Sequence, residues 1–281
     1  MYKSSAILYT FSYMAIGCFT PYIGLYLKGL SFCGTQIGII TAIGTTAAIF
    51  AVAVWGRIYS ASDHKAVIIE LLCLGSICVA AVLSGMSAFF FVMLCYGVLY
   101  FFQSPIMSLI DSYTALGEGS GDFGSKRAWG AVGFAAGVFV SGKMIDMTTD
   151  KIIFILYGAS FAIAAIAMAS IRKAASGSKF SNGGAGERSN VRSSNVKSKG
   201  YIYLLSDSRV VKLLICMFFF GGTNVANNTY FGFLFIEGGG TAAGIGTAML
   251  LMVGSEVPFM FLSEKLARRF TIEKTILAAM I

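Results

Sequence analysis

Charge is what this sequence has least of. Charged residues fill 12% of its 281 positions, whereas soluble domains carry about 25%. A soluble chain so poor in charge could not cover its own surface, so the solvent for most of it must be lipid. Histidine is almost missing: His64 stands alone. The six cysteines (Cys18, Cys33, Cys73, Cys78, Cys95, Cys216) lie in apolar stretches, and no two have CxxC spacing. These shortages exclude a zinc site of any usual pattern and a disulfide framework. The cysteines read as small buried hydrophobes. No cluster of nucleophile, base and metal ligands stands out, so neither an enzyme nor a cofactor is expected.

What is present is apolar sequence in lengths that match a bilayer, which needs about 20 residues to cross about 30 Å. Residues 4–27 carry no charge, which reads as a full span rather than a cleaved signal peptide. Residues 29–56 hold span 2. Residues 71–110 are forty uncharged positions, enough for spans 3 and 4 with a turn at Ser84–Ser87. Spans 5, 6 and 7 follow at 128–142, 152–171 and 213–236, and span 8 at 238–263 contains one charge before its end, Glu256. A ninth opens at Thr275 and has run seven residues at Ile281. The fold class expected is an all-α polytopic membrane protein with eight full spans and the start of a ninth.

The net charge of +8 would point to nucleic acid in a soluble protein. Here it follows membrane topology instead. With the N-terminus cytoplasmic, eighteen of the 21 Lys and Arg fall inside, against Lys28, Lys143 and Lys151 outside. Partners expected are therefore the lipid bilayer and a small solute, not nucleic acid. Between Lys173 and about Asp207 runs a stretch rich in Ser, Gly, Asn and Lys that cannot bury a core. It divides the chain into a six-helix bundle (1–172), a basic cytoplasmic linker (173–208) and a partial second bundle (209–281). Six spans, a long basic inner loop and further spans resemble the major facilitator plan, which has twelve in all. An internal repeat accompanies the division: Tyr22-Ile-Gly24 with Ile37-Gly38 recurs, ungapped, as Tyr230-Phe-Gly232 with Ile245-Gly246. Parallel halves of this kind hold a substrate site between them near mid-membrane.

One segment is more specific. Phe123-Gly-Ser-Lys-Arg127-Ala-Trp-Gly-Ala-Val-Gly-Phe134 resembles the entry to helix 5 of lactose permease and its relatives, the oligosaccharide and phenylpropionate proton symporters. Ser104-Pro105 through Asp111 is similar to the end of helix 4 in that group, and Ser255-Glu256-Val-Pro258 with Arg268-Arg269 to its helix 8. The superfamily's most general motif departs from pattern, since Ser60 stands where an acid should follow Gly56. The resemblance implies a proton-coupled symporter in a bacterial inner membrane, working as a monomer and powered by the proton gradient.

Glu256 is the first candidate residue. It lies about thirteen residues, or roughly 20 Å, into span 8. A carboxylate there costs a few kcal/mol unless it is paired, protonated or facing water. That makes it suited to proton coupling, the role the resemblance also implies. Arg127 comes next. The uncharged run of span 5 is too short to cross, so its helix must reach back to Phe123 and draw Arg127 into the bundle. The resemblance pairs such an arginine with a span 4 carboxylate, here Asp111, for solute recognition, and an arginine fork suits hydroxyls or a carboxylate. Phe134 occupies the place of a sugar-stacking tryptophan in that group. Asn224, Asn227 and Asn228 sit at helical spacing on span 7 with Tyr230 nearby, a set suited to hydroxyl or carbonyl ligands. Tyr13 shares a face of span 1 with Tyr9, and Pro21 should kink that span's outer end. Oligosaccharide, nucleoside and aromatic acid all remain open as solutes. Export by the same fold and a non-transporting assembly role are the alternatives.

Overall fold

The structure, a computed structural model, describes residues 2–117, 123–181 and 208–269. Nine helices account for nearly all of them: α1 (Tyr2–Phe19), α2 (Ile23–Gly29), α3 (Gly34–Ala61), α4 (Lys65–Ser84), α5 (Phe89–Gly117), α6 (Phe123–Met147), α7 (Ile152–Ser181), α8 (Ser208–Glu237) and α9 (Ala242–Arg269). Among the described residues, seven spans are long and apolar enough to cross a membrane, α1 and α2 counting as one. The apolar part of α9 described to that standard is shorter, Ala242–Ser255. The ninth span, from Thr275, lies outside the described residues, as does 182–207 of the linker.

Helix ends follow local chemistry. Pro21 has no N–H to donate, and span 1 breaks over Thr20–Tyr22 into α1 and α2. The predicted kink is a full interruption. At the start of α3, the Cys33 amide donates to Gln36 Oε1 at 3.0 Å, one arm of a capping box. Between α8 and α9 the chain reverses through Gly239, whose φ of +87° only glycine adopts without strain. The Gly240 amide turns back to the Phe235 carbonyl at 2.9 Å.

Two helices run further than expected. Asp111 does not close span 4, because α5 continues to Gly117. Its carboxylate has side-chain partners, so the helix proceeds through Ser112, Tyr113 and Thr114. Likewise α7 reaches Ser181, well past the predicted start of the linker at Lys173. At the inner ends of α4 and α7, Arg172 Nε stands 3.1 Å from Glu70 Oε1. Inner and outer here follow the distribution of basic residues.

Large apolar side chains face outward throughout: Phe50, Ile166 and Phe220 are all more than 60% exposed. In water such a surface would aggregate; in a bilayer it is the lipid-facing side. Inside, α1 and α6 pack backbone to backbone. A methyl group added at Gly133 would strike the Thr10 carbonyl, one at Gly137 the Met14 carbonyl, and one at Gly17 the Phe134 carbonyl. Close approach through small residues is how helices gain dispersion contact where lipid offers no hydrophobic drive.

The internal repeat has a structural meaning. The Tyr22 hydroxyl lies 3.1 Å from where a methyl on Gly246 would sit, and the Tyr230 hydroxyl 3.4 Å from the same point on Gly38. Each copy thus sets its tyrosine over the other copy's second glycine. The repeat elements meet reciprocally at the outer end of the molecule.

Candidate functional site

Three helices bring the inner cluster together. Tyr9 on α1 is fully buried and donates its hydroxyl to Asp111 Oδ1 on α5 at 2.7 Å. The same hydroxyl lies 2.8 Å from Thr114 Oγ1, one turn further along α5. Arg127, in the second turn of α6, places Nη1 3.8 Å from Asp111 Oδ2. Tyr13 stacks on Tyr9 with ring centroids 6.5 Å apart and planes 17° apart. It is also within electrostatic reach of both Arg127 and Asp111. The Tyr13 ring fits because α6 offers Gly130, where a methyl group would come within 2.7 Å of it.

The cluster is firm on one side and loose on the other. Tyr9 locks one carboxylate oxygen of Asp111. The Arg127 contact is long for an ion pair, and its side chain stays 48% exposed. A guanidinium held this loosely keeps most of its donors for something else. Asp111 Oδ2 likewise retains acceptor capacity. Aromatic faces beside a carboxylate and an arginine fork have the chemistry that neutral polyhydroxyl groups or an anionic acid require.

Of the residues expected at a site, Tyr13, Asp111 and Arg127 come together here. Phe134 lies two turns further along α6 from Arg127, partly buried against the hydrophobic core. Tyr230 is elsewhere: 40% exposed, it packs on Phe233 and lines a cavity of about 450 Å³ at the outer end with Lys28, Phe32 and Glu237. Asn224 and Asn227 are exposed on α8, and the side chain of Asn228 lies outside the described residues. Glu256 falls on α9, its side chain also outside the described residues. In the sequence Tyr9 stands out only as a face-mate of Tyr13, and Thr114 does not stand out. The available signal was a hydroxyl one helical turn before Tyr13 in an uncharged span, since such a hydroxyl needs a buried partner. Ser60, in the acid's place of the superfamily motif, donates back to the Gly56 carbonyl of its own helix at 2.8 Å.

The comparisons agree with this architecture. Residues 2–281 match the family described as "MFS_1 like family". The chain belongs to that family. It is 31% identical over 97% of its length to a maltose permease of Geobacillus stearothermophilus, of which it covers 66%. To an uncharacterized transporter, YwbF, of Bacillus subtilis it is 28% identical over 90% of its length, covering 60% of that protein. The chain therefore spans somewhat less than two thirds of the length of these relatives. Among solved structures, the nucleoside transporter NupG (D323A mutant) superposes with a TM-score of 0.76 at 16% identity, over 96% of this chain and 69% of that one. That likeness is one of fold. These relatives are named as permeases or transporters and none as an enzyme. This member of the major facilitator superfamily is accordingly an integral membrane protein.

Proposed function

We propose that this chain carries the solute-binding half, and part of the second half, of a secondary active transporter that moves a small polar solute by alternating access. The helices before and after the linker predicted at 173–208, whose first residues continue α7, act as the two rocking bodies. The observation that carries this reading is the Tyr13–Asp111–Arg127 cluster, in which a half-exposed guanidinium stands 3.8 Å from a carboxylate held by a buried tyrosine.

An oligosaccharide is the solute this set favours. Sugar hydroxyls can donate to Asp111 and accept from Arg127, and a sugar's apolar face can lie on Tyr13. The relative named as a maltose permease supports this choice. The nucleoside transporter supports only the fold that would serve it. Nucleosides and aromatic acids are the next solutes to screen. Glu256 is the proposed proton-coupling group, because a carboxyl deep in a span is cheaper neutral than charged. The proton gradient would be the sole energy source, and the protein would work as a monomer in a bacterial inner membrane with its N-terminus inside.

Uptake into vesicles of each solute class, with and without an imposed pH gradient, tests the reading with Glu256→Gln alongside. Accumulation that needs the gradient and becomes mere equilibration in the variant is the expected result. Gradient-independent accumulation would contradict proton coupling. No uptake of any class by folded, inserted protein would favour an exporter or a non-transporting partner.

A further inference from the structure

At the outer end, α6 of the first half crosses α9 of the second almost backbone to backbone. A methyl group on Gly142 would fall 2.5 Å from the Ala242 carbonyl oxygen, and one on Gly246 3.1 Å from the Val138 carbonyl oxygen. Tyr22, only 1% exposed, donates its hydroxyl to Val138 at 2.8 Å beside that crossing. Glycines let the helices meet, but by themselves they do not hold them together. Something more specific does.

The first amides of any helix lack intrahelical acceptors. In α9, Thr241 supplies its own cap: its Oγ1 accepts from the Gly244 amide at 3.1 Å. The Ala242 and Ala243 amides point across the seam instead. They donate to Asp146 Oδ1 and Oδ2, at 3.1 and 3.0 Å. Asp146 is the next-to-last residue of α6. One carboxylate from the first half thus fills the anion site at a helix start in the second half. Ala242 is buried at 4% exposure, while Asp146 and its bond to Ala243 stay open to solvent, so the buried part of the seam is the Ala242 amide and the glycine crossing.

We propose that Asp146 is the latch of the outer gate: its carboxylate must leave the start of α9 before the site can open outward. The opposite outer seam lacks such a device among the described residues. There Lys28 and Glu237 pair at 3.0 Å, but both side chains are more than half exposed. The Asp146 seam therefore sets the balance between outward-closed and outward-open forms. Because α6 is unbroken from Arg127 to Asp146, tilting it at the solute cluster moves the latch as well.

Spin labels at Thr149→Cys and Gly238→Cys, exposed positions in the outer loops of the two halves, read this balance directly. The whole chain in lipid vesicles, with its native cysteines replaced, is the sample. Asp146→Ala should raise the ratio of long to short label distances about tenfold, the effect of losing two charge-assisted hydrogen bonds from one state only. Asp146→Asn keeps one acceptor oxygen and should raise it about threefold. Should the alanine variant fail to fold, the asparagine variant carries the test. An unchanged distance distribution in the folded variant overturns the latch. The proposal rests on the transporter reading for its purpose, yet the labels need no solute. Unchanged distances would sink the latch alone, whereas failed uptake with shifted distances would sink the solute reading alone.

Discussion

The two ends of α6 carry the same chemistry put to different uses. At its inner end Arg127 faces Asp111 of α5 across 3.8 Å, with half the arginine side chain exposed. At its outer end Asp146 grips two backbone amides of α9 at 3.0 and 3.1 Å. Nineteen residues separate Arg127 from Asp146, which at 1.5 Å per residue is roughly 28 Å, about the thickness of the hydrocarbon core. A loose side-chain pair can exchange its partner for a solute. A carboxylate fitted to a helix start, beside glycines that bring backbones together, closes a path. The difference distinguishes the two ends of the molecule: backbones meet around Asp146, whereas side-chain donors and acceptors stay available around Arg127.

The largest effect expected concerns what holds α6 in place. Gly133→Val should strip most of the folded protein, because its side chain would meet the Thr10 backbone rather than a movable side chain. Overpacking of this kind costs about 1–3 kcal/mol, and a backbone obstacle puts it at the top of that range. Thermal unfolding in detergent would measure it. A variant as stable as the parent would mean that α6 is not fixed against α1.

Next comes the inner cluster itself. Arg127→Ala should lower solute uptake by about a hundredfold, equivalent to about 3 kcal/mol of charge-assisted hydrogen bonding. Its melting temperature should change little, because the side chain is half exposed. Uptake kinetics and a melting curve on one preparation separate the two. Tyr9→Phe sharpens the picture from the other side. It leaves Asp111 without its buried donor, so stability should fall by about 1–3 kcal/mol and uptake should fall with it. The smallest effect belongs to Lys28→Ala. That pair is exposed on both sides, and its removal should change stability by no more than about 1 kcal/mol. A larger loss would mean that the second outer seam is a latch in its own right.

Most of the fold was legible because lipid imposes it. Uncharged runs of bilayer length fixed the positions of α3, α4 and α8, and the turn at Ser84–Ser87 separated α4 from α5 as expected. The short uncharged run of span 5 correctly required its helix to begin at Phe123. Helix ends were less legible. A charge reads as a stop, yet Asp111 sits within α5, where Tyr9 and Arg127 satisfy it. The inner cluster was legible as far as Asp111 and Arg127, whose charges are unusual beside a span, with Tyr13 singled out only by sharing a face with Tyr9. Asp146 carried no such signal. A carboxylate near a predicted helix end looks like an ordinary loop residue, and its partners, the amides of Ala242 and Ala243, are almost a hundred positions away. Backbone donors have no residue type to read. The repeat was visible as a pattern, but the placing of each tyrosine over the other copy's glycine emerges only when the halves are brought together.

A solute held by the Tyr13–Asp111–Arg127 cluster should depend for its binding on both charged groups. Binding of a maltose-type oligosaccharide to the purified chain, measured by calorimetry beside Asp111→Asn and Arg127→Lys, tests it most directly. The account predicts affinity weakened about a hundredfold or more in both variants, since each removes a charged or bidentate contact. Parent-like affinity in both variants, with protein that melts as the parent does, would contradict it.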